Sequence, residues 1–210
     1  MRTVTVKVAS SFISPEQAMR NLEREIGGDS FDETREKARA AWNRELGRIE
    51  VEGGTVNQRT TFYSALYRVL LFPRRFYEMD ANGEVIHYSP YNGEVRPGYL
   101  FTDNGFWDTF RAVFPFFTVM YQELNAQIME GLVHTYQESG WLPEWASPGH
   151  RDAMIGSNSA AIIADAYLKG IRGYDIETLY EAILKNSENA GPLSSVGRLG
   201  AEQYNELGYV

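Results

Sequence analysis

The residues best placed to do chemistry sit in one run, 101–111, which reads F-T-D-N-G-F-W-D-T-F-R. Helical spacing at about 100° per residue puts Phe106, Phe110, Val113 and Phe117 on one face. Asp108, Arg111 and Pro115 fall on the opposite face, with Trp107 on the flank. An Asp and an Arg three positions apart have two readings. One is a structural ion pair that satisfies both charges. The other is a clamp: the carboxylate accepts two hydroxyl hydrogen bonds, and the neighbouring indole offers a packing face to a ring-shaped ligand. Pro115 is expected to end or kink this helix.

A second constellation is G-W-L-P-E-W at 140–145. Trp141 and Trp145 either plug the core or form the mouth of a cleft. The Gly- and Pro-rich stretch S-P-G-H-R-D-A-M-I-G at 147–156 then leads into an apolar helix, whose first N–H groups could meet an oxygen-rich ligand. His150 in that stretch is a candidate ligand-binding or proton-handling residue, although a lone loop His is more often neither. His87 and His134 carry less signal, and His134 falls on a polar helix face. Asp165, inside an apolar helix, calls for a structural hydrogen bond to backbone or Arg. The sequence contains no Gly-rich phosphate loop, G-x-S-x-G, H-E-x-x-H or EF-hand loop. No Asp/Glu pair is identified by spacing as an acid and a base, so no catalytic residue is assigned.

The elements that must position these residues are mostly helical. Ser14-Pro15-Glu16-Gln17 is a helix start, running to about Ile26 and stopping at Gly27-Gly28. A charged helix is expected over about 32–46 with Gly47 as its stop. Thr55 to Gln58 is a capping box, opening a helix that is apolar on most sides and closes before Pro73. Alternation predicts strands at 3–8 and 48–52. Asn82-Gly83 and Asn92-Gly93 mark tight turns in an irregular 74–100 segment, where a hairpin or an excursion between helices is expected. Further helices are expected over 104–119, 122–139, 158–171 and 175–188. The stretch 160–168 is apolar nearly all round, which predicts burial on every side. Ile176, Leu179, Tyr180, Ile183 and Leu184 form a single stripe. Buried and one-sided helices in succession suit two concentric layers, an (α/α) toroid, and suit a helical bundle nearly as well.

The 210 residues suffice for one large domain, or for one domain plus a fragment of another, and 43% hydrophobic content supplies a core. A net charge of −8 argues against a nucleic-acid partner, because phosphate binding needs clustered Lys and Arg. The absence of Cys removes a disulfide scaffold, a thiol nucleophile and a zinc–thiolate site. No apolar run reaches the length of a membrane span, and no signal peptide is visible. The compartment is therefore left open.

The run F-T-D-N-G-F-W-D-T-F-R-A-V-F-P-F-F resembles glycoside hydrolase family 92, the calcium-dependent exo-acting α-mannosidases. The resemblance continues through S-G-W-L-P-E-W-A-S-P-G-H-R and M-I-G-S-N-S-A-A-I-I-A-D-A-Y-L-K-G-I. Upstream it includes A-A-W-N-R-E-L-G-R-I-E-V-E-G-G and Q-R-T-T-F-Y-S-A-L-Y. The resemblance implies a mainly α fold: the end of an N-terminal β-sandwich (1–13), a helical linker (14–50) and the first part of an (α/α)₆ toroid (51–210). It implies that Trp107 and Asp108 match the family's W-D pair, whose Asp contacts the terminal mannose, and that Arg111 supports that Asp. The segments holding Trp141, Trp145 and His150 match regions near the cleft. The implied reaction is inverting hydrolysis of terminal α-linked mannose, with a Glu acid and an Asp base on separated carboxyls. Calcium is the implied cofactor, with ligands not assigned, and N-glycan-type mannosides are the implied partner. Neither catalytic block is found here, so the rest of a parent enzyme is expected to supply them. Ser157-Asn158 departs from the charged or His-containing pair of many members, which bears on linkage preference. Family members are commonly periplasmic or secreted. The alternative to an incomplete mannosidase is a non-catalytic helical module that binds carbohydrate or a partner.

Overall fold

The structure is a computed structural model and describes residues 4–210. About half of those residues are helical. The elements in chain order begin with α1 (Pro15–Glu25), α2 (Phe31–Leu46), α3 (Val56–Val69), β1 (Arg74–Arg75), β2 (Glu78–Met79), β3 (Val85–Tyr88), β4 (Val95–Pro97), β5 (Phe101–Thr102) and β6 (Asn104–Gly105). They continue with α4 (Phe106–Thr109), α5 (Val113–Met120), α6 (Gln122–Ser139), β7 (Trp145–Ala146), α7 (Asn158–Leu168), α8 (Ile176–Glu188) and α9 (Ala201–Leu207). The chain divides into two compact units. One runs to Phe72 and includes Glu78–Gly83; the other comprises Pro73–Tyr77 and Glu84–Val210.

In the first unit, local hydrogen bonds set the helix starts. The Ser14 side chain accepts from the Gln17 N–H, and Pro15 takes the first helical position, where its missing N–H costs nothing. Ser30 and Glu33 form a reciprocal capping box at α2, as Thr55 and Gln58 do at α3. α2 packs on α3, with the Trp42 and Tyr67 rings 4.5 Å apart. Polar contacts hold α1: the Glu78 carboxylate accepts from Ser11 Oγ at 2.9 Å and Asn21 Nδ2 at 2.7 Å, while buried Gln17 donates to the Met79 carbonyl at 2.7 Å.

Three expectations fail here. Thr3 of the predicted 3–8 strand lies outside the described residues, and Val4 to Val8 form no strand; their valines are exposed and no strand pairs with them. Residues 48–52 form a bend and irregular chain rather than a strand. Alternation alone gives a strand no hydrogen-bond partner. α3 buries only Leu66 among its own residues, so it is not apolar-packed on most sides.

In the second unit, β3 and β4 form the expected antiparallel hairpin, with Ile86 opposite Pro97 and Tyr88 opposite Val95. Gly93 takes φ 78° in the turn, a conformation that favours glycine. β1 pairs with β5 and β6 with β7, both antiparallel. α6 packs on α5 and α8, and α7 packs on α4, α5 and α8. The core they enclose is built on Phe106, Phe114, Phe117, Met129, Leu142, Ile162, Ile163 and Leu179.

The predicted 104–119 helix is two pieces. α4 ends at Thr109 and α5 begins at Val113, which places Pro115 third in α5. Proline belongs in a first turn, so Pro115 helps to start a helix rather than end one. α7 is one-sided as well. Ile162, Ile163 and Ala166 are buried, whereas Leu168 is 82% exposed. On the α8 stripe, Leu179 is buried and Tyr180 is 60% exposed. Among the described residues no helix is long and apolar enough to cross a membrane.

Candidate functional site

The two tryptophan-bearing motifs meet in space. In the β6–β7 pair, Asn104 lies opposite Ala146 and Gly105 opposite Trp145. One step on, the Phe106 N–H donates to the Glu144 carbonyl at 3.1 Å. One step back, Ser147 Oγ donates to Asp103 Oδ1 at 2.8 Å. The turn carrying Trp107 and Asp108 is therefore fastened along the E-W-A-S segment, 144–147. Phe106 is the buried anchor below, stacked on Phe114 at 6.0 Å.

Gly105 shapes the surface of this site. A Cβ placed there would lie 2.8 Å from Met154 Cε and 2.9 Å from Asp108 Oδ2, closer than real contacts allow. The Asp108 carboxylate thus folds back over Gly105, with the Met154 thioether beside it. Met154 holds φ 76° and Asp103 φ 56°, and these are the non-glycine residues at positive φ among the described residues. Both adjoin this site, where strained backbone commonly collects.

Trp107 is 40% exposed, and Asp108 and Arg111 are exposed. Among the described residues no ion pair joins Asp108 to Arg111. Arg111 donates instead to the Trp107 carbonyl at 2.9 Å, and its guanidinium lies 5.1 Å from the Trp107 ring and 4.3 Å from the Phe110 ring. The break between α4 and α5 removes the continuous face on which that pair was expected. Arg111 braces the tryptophan, and Asp108 keeps an exposed carboxylate.

Trp141 and Trp145 separate. Trp145 is half-buried opposite Gly105. The Trp141 ring lies under the Lys185 ammonium at 4.7 Å and against Gly197, whose added Cβ would be 3.0 Å from Trp141 Cζ3. His150 pairs by backbone bridge with Ala146, its Nε2 lies 2.9 Å from Ser139 Oγ, and its ring packs 4.9 Å from Tyr91. Burial lowers its pKa to about 4, so the ring is neutral at pH 7. Ser139 Oγ lies within donating distance of the Thr135 and Trp141 carbonyls, which makes it a strut rather than a nucleophile.

Sequence reasoning missed Glu144. It is 2% exposed. Its Oε2 accepts from the Asn158 N–H at 2.8 Å and its Oε1 from the Ser159 hydroxyl at 2.7 Å. Burial raises its pKa to about 7, against the lowering effect of those bonds. The α7 N-terminus, read above as open to a ligand, is filled by this side chain. Its only sequence signal was its place between Pro143 and Trp145.

His134 is not on a free polar helix face but packs on His87. His87 is fully buried, its Nδ1 2.8 Å from the Gly98 carbonyl and its Nε2 2.8 Å from Glu138 Oε1. His134 stacks on it at 5.5 Å, with its Nδ1 2.8 Å from the Tyr99 carbonyl. Asp165 pairs with Lys169 at 2.6 Å rather than with an Arg. Among the described residues no three His, Cys, Asp or Glu side chains gather to hold a metal ion.

Comparison with known proteins identifies the family. Residues 17–210 match the glycosyl hydrolase family 92 catalytic domain. The family GH92 inverting mannosidase BT2199 from Bacteroides thetaiotaomicron VPI-5482 is 52% identical and superposes with a TM-score of 0.92 over 95% of this chain. The family GH92 α-mannosidase BT3965 from Bacteroides thetaiotaomicron, solved with mannoimidazole, is 30% identical with a TM-score of 0.81 over 95% of this chain. An uncharacterized secreted glycosidase of Arthroderma benhamiae is 32% identical over 99% of this chain. The chain spans 27%, 25% and 23% of those three proteins respectively. This chain belongs to glycoside hydrolase family 92.

Proposed function

We propose that this chain forms the mannose-holding wall of an α-mannosidase that hydrolyses terminal α-linked mannose from glycans, with inversion. The observation that carries the reading is the fastening of 103–106 along 144–147, which presents Asp108 and Trp107 beside Trp145. An exposed carboxylate next to a half-exposed indole suits a sugar: the carboxylate accepts from hydroxyls while the ring packs on C–H groups. In this reading Asp108 binds, Trp107 packs and Arg111 fixes the Trp107 ring. Trp141 and His150 brace the loop that carries Trp145.

The acid and base belong to the complete gene product rather than to these residues. Glu144 has a raised pKa but is no acid for the substrate, because both oxygens are engaged inside the fold. Calcium dependence is proposed for the complete gene product only. The residues described here offer no ligand cluster, so none of the steps assigned to them runs through the ion. The domain reading is likewise a proposal: 1–13 as the end of an N-terminal β-sandwich, 14–50 as linker and 51–210 as the first part of an (α/α)₆ toroid. Export is proposed from the secreted fungal relative.

The test is mannose release from a set of α-linked mannobioses by the complete gene product, with the product anomer read by NMR. Release of β-mannose that stops on chelation, and that Asp108→Asn abolishes, is expected. Wild-type-level release by the Asp108→Asn protein refutes the assignment of the wall.

A further inference from the structure

We propose that Glu144 is a positioning residue of the mannose-holding wall, locking the Trp107–Asp108 turn to Trp145 by capping α7 from within the site loop. The proposal rests on the reading of Asp108 and Trp107 given above.

The argument begins with how α7 starts. A helix leaves its first N–H groups without partners, and a Ser at the N-cap usually serves one of them. Ser157 stands at that position, yet its side chain makes no cap. It accepts from Arg198 Nη2 at 3.0 Å instead. The capping is done by Glu144, fourteen positions earlier, at 2.8 Å from the Asn158 N–H. Ser159, 1% exposed, spends its hydroxyl proton on the same carboxylate.

Glu144 thereby holds three segments at once. Its carbonyl takes the Phe106 N–H at the first residue of α4. Its chain neighbour Trp145 stands opposite Gly105. Its carboxylate grips α7, which packs on α4 and α5. A local cap would stabilise α7 equally well without fixing the loop. A cap delivered from the loop sets where Trp145 and the Trp107–Asp108 turn stand relative to each other. Truncation at 144 strips two buried donors of their acceptor and frees the loop to shift.

The experiment uses the complete gene product, with mannoimidazole as the binding probe and an α-linked mannobiose as substrate. Glu144→Ala is expected to weaken mannoimidazole binding and raise KM by about tenfold, with a smaller change in kcat. Glu144→Gln is expected to restore both to within about threefold of wild type, because its Oε1 can accept from Asn158 and its Nε2 can donate to Ser159. A folded Glu144→Ala protein with wild-type KM and binding overturns the proposal, as does a Glu144→Gln protein no better than Glu144→Ala. If Glu144→Ala fails to fold, Ser159→Ala removes one of the two contacts and should still raise KM; an unchanged KM then overturns the proposal. Asp108→Ala separates the two readings. Loss of binding in Asp108→Ala with none in Glu144→Ala removes this inference alone. Full binding in Asp108→Ala removes the wall reading and this inference with it.

Discussion

Glu144 makes the pH dependence of stability a direct probe of the buried site. In the folded chain its pKa is about 7, against an ordinary 4.5, because burial disfavours the ionised form. A folded-state pKa above the unfolded one means that the folded chain binds the extra proton. The stability this confers is complete below pH 4.5 and is lost as pH rises through 7. The full swing is about 3 kcal/mol. His150 works in the opposite sense. Its folded pKa of about 4 lies below the ordinary 6.5. Its contribution is complete above pH 6.5 and is lost as pH falls through 4, again by about 3 kcal/mol. Between pH 4.5 and 6.5 the two largely cancel. Between pH 8.5 and 6 the Glu144 gain outweighs the His150 loss, each being about 1 kcal/mol, because Glu144 takes up its proton in the folded chain from about pH 7 whereas the His150 loss begins only near 6.5. Wild type should therefore be slightly more stable at pH 6 than at pH 8.5. Glu144→Gln should reverse that sign, becoming less stable at pH 6 by about 1 kcal/mol. The assay is urea unfolding followed by tryptophan fluorescence at both pH values, with equal m-values required for the comparison. The carboxylates whose pKa values are lowered, such as Asp152 and Asp175, titrate below this window. A variant with the wild-type slope, or a Glu144 carboxyl that titrates near 4.5 by NMR, refutes the reasoning.

Two further substitutions separate binding from folding. Gly105 has φ −97°, so Gly105→Ala imposes no left-handed strain, yet its methyl meets Met154 and Asp108 Oδ2. Mannoimidazole affinity of the complete gene product should fall about tenfold or more while the melting temperature moves little; unchanged affinity would show that the Asp108 carboxylate is free to move. Glu138→Leu leaves His87 in the interior without its 2.8 Å partner. Removing the partner of a buried hydrogen bond costs about 1–3 kcal/mol, measurable by urea unfolding, and a loss below about 0.5 kcal/mol would mean that Glu138 does not hold His87 in place.

The helix starts were legible because their causes are local. Ser14 reaches Gln17 and Thr55 reaches Gln58, so four residues of sequence contain the whole interaction. The break at 110–112 was hidden because the Phe and Val spacing runs across it unchanged. Pro115 was the usable sign, since a proline third in a helix is as natural as a proline that ends one. The stretch 160–168 looked buried all round because alanine counts as apolar, but exposed Ala161 and Ala164 cost little. Trp107 and Asp108 could be singled out by type. Their coupling to Trp145, and the separation of Trp141 from it, depend on a strand pair about forty residues apart in the chain. Glu144 was illegible for the same reason, since its partners lie on α7 and its role is defined by them.

The register of that strand pair is what makes the site specific. Residues 103, 104, 105 and 106 contact 147, 146, 145 and 144 in strict antiparallel order, first through a side-chain pair, then through the ladder, then through a main-chain bond. A slip of one residue would bring the side chain of Asn104 or Phe106 to the place where Gly105 now leaves room for Met154 and Asp108. It would also turn Phe106 out of the core, where it is 4% exposed against Phe114. The buried phenylalanine and the missing Cβ therefore select the same register from opposite sides of the strand. Asp103 and Met154, both at positive φ, mark where the chain bends away to leave it. The F-W-D turn is thus aimed by a short, fixed strand pair rather than by helix propensity, and α4, four residues long, could not aim it alone.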